Sequence, residues 1–144
     1  MIECYFDCSS PWTWLGFRNL RTLAAELSVP VQWKPVLVGG IFNAVNPSVY
    51  ESRERGVPAK QVLQDWARHD GVDIRFPPSI FPINSVKAMR ACCWLLQQDG
   101  GAPRMEAFAE AVFQAYWTYD RDISQDSVLA DIATALGLDA AALL

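Results

Sequence analysis

The sequence predicts an α/β chain, with a strand–helix–strand unit at its start followed by an all-helical stretch. An apolar, β-rich run from Ile2 to Asp7 is bounded by turn-formers, and a second such run covers Val31 to Leu37. Between them Leu15, Leu20, Leu23, Ala24 and Leu27 recur near helical spacing. Strand, helix and strand separated by short connections make a right-handed βαβ unit, with the helix as the crossover and the two strands parallel. The expected division places this unit in residues 1–40 and the helical part in residues 41–144.

The first strand feeds through Cys8 and Ser9 into Ser10-Pro11, a helix start: Ser is a favoured N-cap, and Pro at the first helical position gives up an amide hydrogen that has no partner there anyway. Such a start aims free N–H groups and the positive end of the helix dipole at whatever lies above the turn, which is best an anion. Ser10 read alone is more often a plain cap than a functional residue. Cys8 and Ser9 are small enough to leave the turn open, and Trp12 and Trp14 put aromatic surface beside it. Ser28 with Pro30 stops this helix.

Pro35 has no hydrogen to give a strand ladder, so the second strand lies at an edge or ends early. Gly39-Gly40 closes the unit, and Ile41 to Pro58 reads as a loop holding Asn43, Asn46, Pro47 and Ser48. A helix is expected from Ala59 to about His69 with Val62, Leu63 and Trp66 inward. After the proline-rich loop IRFPPSIFPIN, Asn84 is the expected N-cap of a helix from Ser85 to about Gln98, with Val86, Met89, Cys93 and Leu96 as its apolar stripe and Cys92 beside it. Helices from about Arg104 to Trp117 and from Val128 to Leu136 follow, the first with Phe108, Ala111, Val112 and Ala115 inward. Asp139 caps a last segment too short to be helical without a neighbour.

Composition narrows the function. Hydrophobic residues make up 51% of 144, enough for one packed domain. A net charge of -4 and a pI near 4.9 argue against a surface that neutralises nucleic-acid phosphates. Met1-Ile2-Glu3 lacks the basic and apolar regions of a secretory signal, and no run approaches the roughly 18 apolar residues of a membrane span, so a cytoplasmic protein that does not engage a membrane is expected. Cys4, Cys8, Cys92 and Cys93 include no Cys-x-x-Cys pair, and His69 is the only histidine, so no metal site is expected. Cys4 and Cys8 share a strand face with Phe6 and read as buried small hydrophobes, with a redox role as the alternative.

Two parallel strands make a poor sheet, because each has an open edge. Further strands are expected, from a partner, another copy or a C-terminal part absent from this chain.

The segments FDCSSPWTWLG (6–16), PVLVGGIF (35–42), VPAKQV (57–62), FPINSVKAMRA (81–91) and DISQDSVLADIATALGLDAAALL (122–144) occur in the same order as in a known family. The chain resembles the 2-hydroxychromene-2-carboxylate isomerases and kappa-class glutathione transferases of the DsbA-like thioredoxin superfamily. Ser10-Pro11-Trp12-Thr13 looks like the Cys-Pro-x-Cys turn of thioredoxin-type proteins with hydroxyls in place of both sulfurs. The resemblance implies a thioredoxin-like βαβ unit with an all-helical insertion, in a chain that ends where the C-terminal ββα part should begin. It implies a glutathione-dependent isomerase acting on small aromatic compounds, or a kappa-class-like transferase acting on electrophilic ones, as a homodimer. Ser10 is then the catalytic residue, holding the glutathione sulfur as a thiolate. Asn46 and Lys60 fall where family members contact glutathione or a substrate carboxylate, while Trp12 and Trp117 are candidates to stack on an aromatic substrate. Read without the resemblance, Asn46 is a turn residue, Lys60 a solvated lysine, and Asp122 an acid that fixes its loop. Two further readings stay open: a DsbA-like thiol-disulfide oxidoreductase, for which Cys8 could form a mixed disulfide with glutathione, and a non-catalytic binding module.

Overall fold

A computed structural model describes residues 1–45 and 56–144, the side chains of residues 56–59 excepted. Strand β1 (Ile2–Phe6) leads to helix α1 (Pro11–Glu26), strand β2 (Val31–Pro35) and helix α2 (Val38–Val45). Helices α3 (Gly56–His69), α4 (Val86–Leu96), α5 (Gly101–Trp117), α6 (Asp126–Ala135) and α7 (Ala140–Leu143) complete the described chain. The predicted α/β class is therefore the observed one. Its only sheet among the described residues is the parallel pair β1–β2, in register from Ile2 opposite Val31 to Phe6 opposite Pro35. Pro35 ends β2, two residues before the expected Leu37.

A two-stranded ribbon is marginal by itself. Here one face is buried in an aromatic cluster. Phe17 of α1 lies with its ring 5.3 Å from Phe6, 4.5 Å from Trp33 and 5.5 Å from Phe113 of α5. Trp14 stacks on Phe113 at 6.2 Å. Each such contact contributes about 0.5–1.5 kcal/mol beyond the area it buries. The cluster is continuous with a core that runs through Met89, Cys92, Phe108, Val112 and Leu129, so the strands and the helices share one interior.

Polar contacts fix α1 and β2 on α5 along the flank of that cluster. Arg21 Nε donates to Glu106 Oε2 at 3.0 Å, Trp33 Nε1 donates to Glu106 Oε1 at 2.7 Å, and Trp14 Nε1 donates to Glu110 Oε1 at 3.4 Å. Rotation of α1 about its own axis would break the bonds from Arg21 and Trp14, which leaves the start of that helix with a defined direction.

Several expectations are corrected. Gly39-Gly40 does not close the unit but lies inside α2, because Val38 N–H finds a distant carboxylate, Asp7 Oδ2, at 2.8 Å that starts the helix in place of a local cap. On α1 the buried residues are Pro11, Trp14, Leu15, Phe17 and Ala24, whereas Leu23 and the capping Leu27 face solvent. On α3 the inward residues are Leu63 and Ala67, and Val62 and Trp66 are exposed. On α4 they are Ala88, Met89, Ala91, Cys92 and Leu95, so Cys93 belongs to the outer face. Helix α3 starts at Gly56 and α5 at Gly101, each with a proline as its third residue. Proline is tolerated in a first turn, where its missing N–H breaks no helical bond. Asn84 Oδ1 does accept from the N–H of Val86 at 3.0 Å, although the residue flanking α4 is Ser85. Helix α7 forms as Asp139 Oδ1 accepts the N–H groups of Ala141 and Ala142, with Leu143 buried.

Candidate active site at the start of α1

Ser10 is the N-cap of α1, extended at φ -113° and ψ 124°, and Pro11 is the first helical residue. Its Oγ accepts the Thr13 N–H at 3.2 Å. A serine hydroxyl has one hydrogen to give, so with an acceptor lone pair engaged by the helix its own proton can be directed outward. Pro11 has no N–H, Thr13 spends its own on Ser10, and helix geometry gives the Trp12 N–H no intrahelical acceptor. The turn thus presents one hydroxyl donor and one amide donor at the positive end of a 16-residue helix. Ser10 is half-buried and Trp12 is 45% exposed beside it.

The turn below Ser10 is held at almost every main-chain group. Asp7, only 1% exposed, accepts Ser9 N–H on Oδ1 at 2.9 Å and Val38 N–H on Oδ2 at 2.8 Å. Ser10 N–H donates to Asp7 C=O at 3.3 Å. Cys8 N–H donates to the Met89 sulfur at 3.4 Å, and Cys8 C=O accepts from Trp117 Nε1 at 3.0 Å. An Asp side chain bonded to the main chain two residues on is an ordinary turn device, but the Trp117 bond closes a gap of 109 residues.

The predicted site residues divide accordingly. Ser10 and Trp12 sit together at the open end of α1. Trp117 is fully buried, with Tyr116, Phe76 and Phe81 around its ring, so it has no free face on which a substrate could stack. The end of α5 points into the core, and the expectation of substrate stacking at Trp117 is corrected on that ground. Lys60 is exposed in the first half of α3. Asp70, the residue that follows α3, accepts from Asn19 of α1 at 2.9 Å, well along the chain from Lys60. Asn46 lies outside the described residues. Asp122 accepts Ser124 N–H, Ser124 Oγ–H and Gln125 Nε2–H, which fits a residue that fixes its loop.

Cys8 is fully buried, and burial followed by hydrogen bonding with Cys92 pushes its thiol well above the ordinary cysteine range. A neutral, enclosed thiol is a poor nucleophile, so the mixed-disulfide role held open for Cys8 is not supported. Two clefts elsewhere, of about 420 Å³ beside Arg21, Trp33 and Glu106 and about 400 Å³ beside Gln64, Arg68 and Asp73, do not include Ser10. Polar groups in the first are already engaged with one another, so the α1 start has the better claim to chemistry. Sequence reasoning misses Asp7, although an acid at the end of an apolar strand, with a pair of serines close behind it, is the signal of a side chain turned back on its own loop. No helix among the described residues is long and apolar enough to cross a membrane.

The chain is 24% identical to glutathione S-transferase kappa 1 of Homo sapiens over 145 residues, covering 96% of this chain and 63% of that protein. It is 25% identical to the 2-hydroxychromene-2-carboxylate isomerase of Pseudomonas putida over 146 residues, covering 99% of this chain and 68% of the relative. A solved 2-hydroxychromene-2-carboxylate isomerase superposes with a TM-score of 0.82 at 25% identity, over 99% of this chain and 69% of the other. The chain therefore spans about two thirds of the length of the relatives it matches. The DSBA-like thioredoxin domain matches residues 1–144 throughout, and the chain belongs to that family.

Proposed function

We propose that this chain serves a glutathione-dependent isomerase of the 2-hydroxychromene-2-carboxylate type, acting on small aromatic compounds through a glutathione thiolate stabilised by Ser10. The observation that carries the reading is the Thr13 N–H to Ser10 Oγ bond, which occupies the hydroxyl as acceptor and leaves its proton for an incoming sulfur. The donor set fits a sulfur anion: a hydroxyl, an amide and a helix dipole, with a buried protein thiol kept out of the way. When bound, glutathione supplies a nucleophilic sulfur. Ser10 donates to that sulfur, and the Trp12 N–H together with the end of α1 favours its charged form. A hydrogen bond to a charged group contributes about 1.5–3 kcal/mol, equivalent to lowering a thiol pKa by about one to two units. The exposed ring of Trp12 offers a flat apolar surface to an aryl substrate. Lys60 and Asn46 are proposed to hold carboxylate or peptide groups of the tripeptide or substrate, Lys60 as a point charge on a long stem.

A kappa-class transferase would use the same donors, and the 24% identity to glutathione S-transferase kappa 1 favours it as the second reading. Both rest on the thiolate. Ultraviolet thiolate absorbance of glutathione, followed against pH with the protein present, should show a midpoint well below that of free glutathione. Ser10→Ala should return the midpoint toward the free value and Ser10→Thr should largely preserve it. An unchanged midpoint in Ser10→Ala would reject both readings, and turnover of a hydroxychromene carboxylate against conjugation of an electrophilic aryl halide separates one from the other.

A further inference from the structure

We propose that Trp117 is a positioning residue for the Ser10 turn, acting through the Cys8–Ser9 peptide unit. This rests on the thiolate-holding reading of Ser10 and assigns a role to a residue that touches neither sulfur nor substrate. One end of that peptide unit, the Cys8 carbonyl, accepts from Trp117 Nε1 at 3.0 Å. The other end, the Ser9 N–H, donates to Asp7 Oδ1 at 2.9 Å. A peptide unit is planar, so a bond at each end fixes its rotation, and the direction of the next residue follows. The next residue is Ser10.

The anchor is rigid. Trp117 is fully enclosed, its ring lying 4.4 Å from that of Tyr116 and 6.3 Å from that of Phe76, while its own carbonyl accepts Arg75 N–H at 2.7 Å. Tyr116 is fastened in turn by its hydroxyl, which donates to Ile80 C=O at 2.7 Å. The indole therefore cannot follow the turn, and the turn must conform to the indole.

The direction of the bond matters for charge. Trp117 draws the Cys8 carbonyl into the core, so the oxygen, the negative end of its dipole, is turned from the place where an anion would rest. Without the N–H, a buried carbonyl lacks its donor, and rotation of the peptide unit toward solvent is the way to regain one. That rotation brings the oxygen toward the anion position and carries Ser10 with it.

The test uses a reporter independent of glutathione. In Ser10→Cys, the pH dependence of alkylation at position 10, resolved from the other cysteines by fragment mass spectrometry, reads the electrostatics of the turn directly. Trp117 is then changed to Phe and, site-specifically, to 3-benzothienylalanine, which keeps the bicyclic shape and places sulfur where the N–H was, so that packing survives when the donor is lost. The expected result is an upward shift of the alkylation midpoint by about half a pH unit or more, equivalent to roughly threefold less thiolate at a pH well below the midpoint. The same shift is expected for glutathione thiolate in the chain with Ser10 intact. A lowered melting temperature with an unmoved midpoint in the benzothienyl variant would make Trp117 merely structural and overturn the proposal. If the thiol introduced at position 10 titrates as an ordinary cysteine while Trp117 is intact, the thiolate-holding reading fails, and the difference on removing the indole N–H still decides the role of Trp117.

Discussion

Substituting alanine at Gly101 tests how closely α4 and α5 are joined. A Cβ built there stands 1.8 Å from the Leu95 carbonyl oxygen and 2.8 Å from its carbon. A carbon–oxygen contact needs about 3.3 Å, so the start of α5 would have to move from the end of α4 by about 1.5 Å. The obstacle is main chain and cannot rotate away as a side chain could. Overpacking typically costs about 1–3 kcal/mol, and a backbone obstacle belongs at the upper end, so about 3 kcal/mol is expected for Gly101→Ala. At the usual unfolding entropy per residue, this corresponds to roughly a 10 °C fall in Tm for a chain of this size. The neighbouring Gly100 supplies the comparison. It is left-handed at φ +63° with nothing near its missing Cβ, so Gly100→Ala meets conformational strain alone and should cost about 1 kcal/mol. Urea denaturation followed by circular dichroism gives both values, provided the slope with denaturant stays constant. Equal destabilisation by the two variants, or a Gly101→Ala within about 0.5 kcal/mol of the unchanged chain, would refute the close approach.

Acid stability should depend on Asp120. Hydrogen bonds from the Ser79 hydroxyl and from Ser79 N–H, aided by Arg75 at 3.5 Å, hold its carboxyl below the usual carboxylate range. The stabilisation is present above the ordinary carboxylate pKa and is lost as pH falls through the depressed folded value; Asp120→Asn should remove that acid-side dependence from a plot of urea midpoint against pH, and an unchanged slope below pH about 4 would count against it. At the end of α1, Ser28 is left-handed at φ +53°, a conformation glycine adopts freely. Ser28→Gly should stabilise the chain by about 0.5–1 kcal/mol in the same denaturation assay, and a loss of stability would contradict the strain assigned to that residue.

The parts legible in the sequence are those set by neighbours in the chain. The two strands, the Ser10-Pro11 start and the Asp139 cap follow from local preference, and the observed bonds to Thr13, Ala141 and Ala142 join residues two or three apart. Helix faces are harder to read. On α4 the choice between Cys92 and Cys93 turns on which side α5 packs, and no spacing within the helix reveals it. Helix α2 is obscured because its starting acceptor is Asp7, 31 residues earlier. Trp117 resembles a substrate surface for the same reason. Large aromatic residues serve sites and cores alike, and only the distant Cys8 carbonyl tells which.

The Asp7 carboxylate takes its two hydrogens from main-chain amides, those of Ser9 and Val38. As donors, positions 9 and 38 therefore contribute nothing that depends on their side chains, and any residue other than proline can fill that office. The whole chemical demand of the joint falls on position 7, where the side chain must be short, forked and able to accept at both tips. Variation should accordingly be tolerated around this knot far more readily than in it.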